Sequence, residues 1–176
     1  MNATFCQLQR EIASALRGLD GAQTQLCPTS TPGKWSIQQI IEHLLLTYSS
    51  TETVINTRLE KRSPTRAKPT LTHRVFCHAV TRWGYFPTGR AAPPLVSPEP
   101  TTHPLSGSDL TQAAADHLTH LDHLLAEAET LFGPDSRCAT HAVIGPLTTN
   151  QWRRFHLVHG EHHLKQIAAI RKTHNL

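Results

Sequence analysis

Apolar residues recur along this chain at the three- and four-residue intervals of amphipathic helices. Phe5, Leu8, Ile12, Leu16 and Leu19 predict a first helix over about 4–19. A second opens at Ser36, where Ser36 and Gln39 fit a capping box that satisfies free backbone amides at the helix start. Ile37, Ile41, Leu44, Leu45, Tyr48 and Ile55 then carry it to about Leu59. A third long helix, over about 108–132, has Leu110, Ala114, Leu118, Leu121, Leu125 and Ala128 as its apolar stripe and stops at Gly133-Pro134. The last begins near Thr148, where Thr148 and Gln151 fit a second capping box, and runs to about Lys172. Gly21 to Gly33, with Pro28 and Pro32, is expected to be a loop.

Residues 61 to 107 interrupt this pattern. A shorter helix fits about 70–83, whereas Pro87 to Pro104, with Pro93, Pro94, Pro98 and Pro100, excludes regular helix. The insert is therefore expected to be an ordered crossover lying over the outside of the bundle. No strand pattern of comparable strength and no internal repeat appears. The expected fold class is all-α, a four-helix bundle forming one domain over residues 1–176.

Composition narrows the class of protein. The chain has 176 residues, 38% hydrophobic and 17% charged, which suits a folded domain with a real core. No apolar run approaches the roughly 18 residues of a membrane helix, and Met1 to Leu16 lacks the apolar centre of a signal peptide. The expected location is cytoplasmic, with no membrane partner. Cys6, Cys27, Cys77 and Cys138 are too widely spaced for a zinc knuckle or redox pair and are expected to be buried small hydrophobes.

The net charge of +4 is unevenly placed: Lys61, Arg62, Arg66, Lys68, Arg74, Arg82 and Arg90 fall in a stretch without an acid, and the remainder is slightly acidic. Such a segment is either a solvated connection or an attractor of anions. With aromatics at 6% and no recognition motif, nucleic acid is excluded as a partner.

The chemistry concentrates in the 13 histidines. Within the expected helices, only His159 and His163 stand four residues apart. Four residues turn an α-helix by about 400°, so both rings leave nearly the same face and can meet one metal ion. Trp152, His156, His159, His163, Ile167 and Ile170 form one stripe, apolar at its ends and imidazole in its middle. A buried imidazole needs a hydrogen bond or a metal. His162 falls at the stripe's edge and Glu161 on the opposite side.

His159-Gly160-Glu161-His162-His163 is not the zinc-protease pattern, because its glutamate is one place too late. A third ligand should come from a facing helix. His43, on a polar flank with Thr47, Ser50 and Thr51, suits a ligand and a half-exposed histidine equally well by spacing alone. His117, His120 and His123 drift around the third helix and read as surface or boundary residues, one of them at most a partner to a ligand.

Lys34-Trp35-Ser36-Ile37-Gln38-Gln39-Ile40-Ile41-Glu42-His43-Leu44 resembles the start of the second helix in the DinB/YfiT-like superfamily. His159-Gly160-Glu161-His162-His163-Leu164-Lys165-Gln166-Ile167 resembles that superfamily's last helix. The resemblance covers the four long helices; the basic insert matches nothing in it. It implies an up-down-down-up bundle and a divalent metal, zinc first with nickel, iron or manganese as alternatives, on His43, His159 and His163. The superfamily includes thiol-dependent transferases and isomerases, so a low-molecular-weight thiol is implied as a cofactor.

Two functions follow. Three neutral imidazoles leave positions open on a metal, the pattern of a catalytic site, and a thiol-dependent transferase acting on a small electrophile fits that pattern. The alternative is a non-enzymatic metal- or ligand-binding protein of stress response. No protein nucleophile or dedicated general base is evident. The basic insert is expected to close over the site and select a small anionic substrate, with Trp83, Tyr85 and Phe86 as apolar anchors and Arg62, Arg66, Arg74, Arg82 and Arg90 as the cations. A homodimer is compatible with all of this.

Overall fold

The computed structural model describes residues 1–29, 33–86, 91–100 and 102–176. Four long helices form a bundle: α1 (Ala3–Leu16), α2 (Ile37–Glu60), α4 (Gly107–Phe132) and α5 (Thr149–Thr173). The shorter α3 (Leu71–Trp83) belongs to the insert. The apolar stripes of α1 and α4 are buried, as are Ile37, Ile41, Leu44, Tyr48 and Ile55 of α2; only Leu45 is half-buried. Capping boxes open α2 and α5 at the expected residues, and two further ones, Thr70 with His73 and Ser106 with Asp109, open α3 and α4.

Cross-helix contacts fix the directions. The backbone amide of Asn2 donates to Asp122 and Gln9 donates to the Ala115 carbonyl, so α1 and α4 run antiparallel. Phe5 lies against His156 and Arg171 donates to the Ala15 carbonyl, so α1 and α5 run parallel. His117 pairs with Glu52 while Gln38 holds the His103 carbonyl and the Leu105 amide, so α2 and α4 run parallel. The order is up-down-down-up, and the insert carries the chain back between the two parallel helices.

Two departures from the expected pattern concern the segment between α4 and α5 and the cysteines. Residues 139–147 form a small antiparallel hairpin, β1 (Ala139–His141) with β2 (Gly145–Leu147), which the sequence did not announce. Three-residue strands, one containing a proline, are too short to show alternation. The hairpin is tied to the insert, since the Thr65 amide donates to the Cys138 carbonyl. Of the cysteines, only Cys138 is fully buried; Cys6 and Cys77 are half-buried and Cys27 is exposed, and all four are free thiols. Among the described residues no helix is long and apolar enough to cross a membrane.

Candidate metal centre

Two helices supply the site. His159 and His163 project from consecutive turns of α5, and His43 from the second turn of α2 faces them. All six residues of the α5 stripe, Trp152, His156, His159, His163, Ile167 and Ile170, are buried, so the imidazoles sit inside the bundle. His43, whose spacing left it between ligand and half-exposed residue, is only 5% exposed.

The Nε2 atoms of the three rings converge. His43 Nε2 is 3.1 Å from His159 Nε2, and His163 Nε2 is 3.0 Å from the same atom. Each ring's other nitrogen says which tautomer it holds. His43 Nδ1 lies 2.6 Å from the Val96 carbonyl oxygen. A carbonyl only accepts, so Nδ1 carries the proton and Nε2 presents a lone pair. His163 Nδ1 lies 3.1 Å from Gln166 Oε1, while the Gln166 amide nitrogen faces His162 Nε2 at 3.2 Å. The same logic leaves His163 Nε2 as a lone pair. One proton on His159 Nε2 satisfies only one of these two acceptors, whereas a cation among the three satisfies all of them. Two nitrogens on a tetrahedral zinc ion stand about 3.3 Å apart, close to the spacings here. The donor set therefore fits a divalent metal.

Electrostatics favours the form that ligates. Burial lowers His43, His159 and His163 below the ordinary imidazole value, His163 to about 4, and neighbouring imidazoles push His159 and His163 further the same way. All three are neutral at pH 7. Among the described residues no carboxylate is hydrogen-bonded to any of them.

The insert closes over this centre, but with different groups from those expected. Val96, in a short 3-10 turn over Pro94–Val96, supplies the carbonyl that holds His43. Phe86 stacks on His159 with ring centroids 4.8 Å apart, and Trp35 covers His43 at 4.9 Å. Phe86 is thus the anchor, while Trp83 and Tyr85 are 71% and 60% exposed and anchor nothing. Arg62, Arg66, Arg74 and Arg82 are exposed, and Arg90 lies outside the described residues. The mouth as described is aromatic. His117 pairs with Glu52, and His120 and His123 are exposed; none of the three joins the centre.

Sequence reasoning missed Gln166, Val96, Phe86 as a ring partner, and Trp35. Gln166 was detectable, being three residues beyond His163 on the same face. A backbone carbonyl carries no residue signature, so Val96 was not. Behind the centre, His156 is wholly buried, and neither of its nitrogens has a partner among the described residues. Tyr48 Oη, Trp152 Nε1 and His159 Nδ1 are likewise buried and unpartnered.

A family model described as "Protein of unknown function (DUF1569)" matches residues 3–169. No curated protein and no solved structure matches the chain.

Proposed function

Since the chain belongs to the DUF1569 family, whose description assigns no function, its role has to be argued from its site, and we propose that it is a divalent-metal-dependent enzyme with a three-histidine centre. The observation that carries this reading is the pair of lone pairs fixed on His43 and His163, both aimed at His159 Nε2 within 3.1 Å. Zinc is the first choice because three neutral nitrogens suit it and need no redox partner. We also place the family within the DinB/YfiT-like superfamily, on the strength of the up-down-down-up order and of His43, His159 and His163 standing where that superfamily keeps its ligands.

A metal held here supplies Lewis acidity and lowers the pKa of a thiol or water that joins it. The residues do the rest. Val96 and Gln166 hold the His43 and His163 rings in one orientation. Phe86 and Trp35 keep bulk water from the imidazoles. Three neutral ligands leave a doubly positive charge uncompensated in a buried site, which favours an anionic fourth partner. A low-molecular-weight thiol that gives up its proton would meet that need, and attack of its sulfur on a small electrophile, with the proton and any displaced group released to solvent, is the reaction class we assign. A free carboxylate substrate meets it too. The four free thiols suit a reducing cytoplasm, where we place the protein.

Metal analysis of protein purified without a histidine tag tests the centre; about one equivalent per chain is expected. Turnover of the loaded protein with a panel of small thiols and electrophiles tests the reaction. Stoichiometric metal without turnover would favour the non-enzymatic metal-binding alternative, and absence of metal after reloading would remove both.

A further inference from the structure

A second set of polar groups converges away from the histidine centre. A cavity of about 140 Å³ lies between α3 and the β1–β2 hairpin, walled by Arg74, Arg137, His73, His78, Cys77 and Gln151. At roughly 30 Å³ per liquid water, it has room for several heavy atoms. Gln151 opens α5 eight residues before His159, about 12 Å along the helix, so this cavity is separate from the three-histidine centre.

The walls offer donors and no carboxylate. Two capping boxes decide the orientation of two of them. His73 Nδ1 accepts the Thr70 backbone N–H at 3.4 Å, which leaves the proton on Nε2, and Nε2 has no partner among the described residues. Gln151 Oε1 accepts the Thr148 backbone N–H at 2.9 Å, which leaves its amide NH2 free to donate. The His73 ring is fixed from the hairpin side. Gly145, at φ +80°, lies so close that a Cβ there would stand 2.6 Å from His73 Cγ and Nδ1. Arg74 and Arg137 are exposed at the cavity's rim, and among the described residues neither enters an ion pair. Pro69 and His73 belong to the start of α3 and Gln151 to the start of α5, so two helix N-termini add positive potential to the same space.

We propose that this cavity is a second ligand site, which binds the phosphate group of a small molecule between Arg74 and Arg137. Two guanidinium groups with the His73 Nε2–H and the Gln151 amide give more donors than one carboxylate can accept, whereas a phosphate dianion has three or four oxygens to fill them. The site does not depend on the metal-centre reading, since it shares no residue with it.

The test is a titration of the full ¹⁵N-labelled chain with inorganic phosphate at constant ionic strength, followed by amide shifts. Saturable shifts at His73, Arg74, Gly145 and Gln151 are expected. Arg74→Gln and Arg137→Gln should each weaken binding about tenfold, while Arg66→Gln, an exposed arginine outside the cavity, should leave it unchanged. Glycerol phosphate and acetate form the comparison arms. Tighter binding of glycerol phosphate than of inorganic phosphate identifies an ester as the ligand, and the reverse identifies the free ion; both support the site. Acetate binding as tightly as phosphate would overturn the assignment to phosphate. The site itself would be overturned by non-saturable shifts, by equal loss in Arg66→Gln, or by shifts at His159 and His163 that the two cavity variants leave intact.

Discussion

The Nε2 atoms of His43 and His159 stand 3.1 Å apart across 116 positions of sequence, and each belongs to a ring buried in the bundle. Nothing but a shared proton or a shared cation accounts for two buried imidazole nitrogens at that distance with a third alongside. Substituting either residue separates these accounts. His43→Ala and His159→Ala should abolish stoichiometric metal binding and leave the helical content unchanged. Metal added at a hundred times its Kd should raise the unfolding free energy of the wild type by about 2.7 kcal/mol and that of the variants by nothing. Metal analysis beside chemical denaturation reads both effects. Equal stabilisation of wild type and variants would place the metal elsewhere.

Phe86 tests the role of the insert. Its ring stacks on His159 from a segment outside the bundle, and it is half-buried rather than part of the deep core. Phe86→Ala should therefore cost little stability while opening the centre to water. The expected result is metal loss to a chelator faster by about tenfold, a change of about 1.4 kcal/mol in the barrier. Trp83→Ala, at a ring that is 71% exposed, is the control and should leave the rate unchanged.

How much of this was legible in the sequence depends on what kind of contact each residue makes. Helices α1, α2, α4 and α5 were legible because their stripes repeat over many turns, and the imidazoles of α5 because they interrupt such a stripe. His43 was not decidable by spacing, since a facing helix fixes its surroundings and no local pattern reports that helix. The resemblance to a known superfamily pointed to it, and the structure brings it within reach of the other two rings. Trp83, Tyr85 and Phe86 are neighbours of the same chemical type, so only the chain's turn at Gly84, in the left-handed region with φ +65°, decides which ring faces inward. The insert arginines failed as a lining for a related reason. A run of like charges states a potential, not a direction, and none of those described lines the metal centre: all are exposed, Arg74 at the rim of the separate cavity beside the hairpin.

Asp122 ties three elements together. Its carboxylate accepts from Arg153 Nε at 2.9 Å and from the Asn2 backbone amide at 2.7 Å, and Arg153 also donates to Glu129 at 3.0 Å. Arg153 is 5% exposed and Asp122 7% exposed, so removing Asp122 leaves a buried guanidinium with Glu129 as its one remaining carboxylate and the Asn2 amide without its acceptor. Asp122→Leu should lower the unfolding free energy by about 1–3 kcal/mol. The double change Asp122→Leu with Arg153→Met should lower it by less than the single one. Urea unfolding of the wild type, Asp122→Leu, Arg153→Met and the double variant measures this; losses in the two singles that simply add in the double would contradict the pairing.

Gly107 marks where α4 meets the end of α1. A Cβ at this position would collide with the Leu16 backbone carbonyl, and the Gly107 amide donates to the Leu19 carbonyl at 2.9 Å. Backbone on both sides leaves no side chain free to give way. Gly107→Ala should therefore destabilise the chain by about 1–3 kcal/mol, although alanine is the better helix former. Thermal unfolding reads the sign directly, and an increase in Tm would show that the two helices part without penalty.

Acid sensitivity should originate behind the metal centre as well as in it. Burial lowers His156 to about 3, with His141 as a lesser cause, and lowers His141 to about 4. In the unfolded chain both titrate near 6.5. Between about pH 6.5 and 4 the unfolded state thus binds protons that the folded state refuses, and stability falls as pH falls. Each such histidine contributes a slope of about 1.4 kcal/mol per pH unit across that window. His156→Phe removes one contributor. It also removes two buried nitrogens without partners among the described residues, so the variant at pH 7 should be no less stable than the wild type. Urea unfolding in chelator from pH 7.5 to 4.5 separates these effects from metal release. The variant should show a slope shallower by about one histidine's share. An unchanged slope would mean that His156 takes up its proton inside the fold. A variant markedly weaker at pH 7 would instead mean that ordered water, shared with Tyr48 and Trp152, holds its nitrogens in the native bundle.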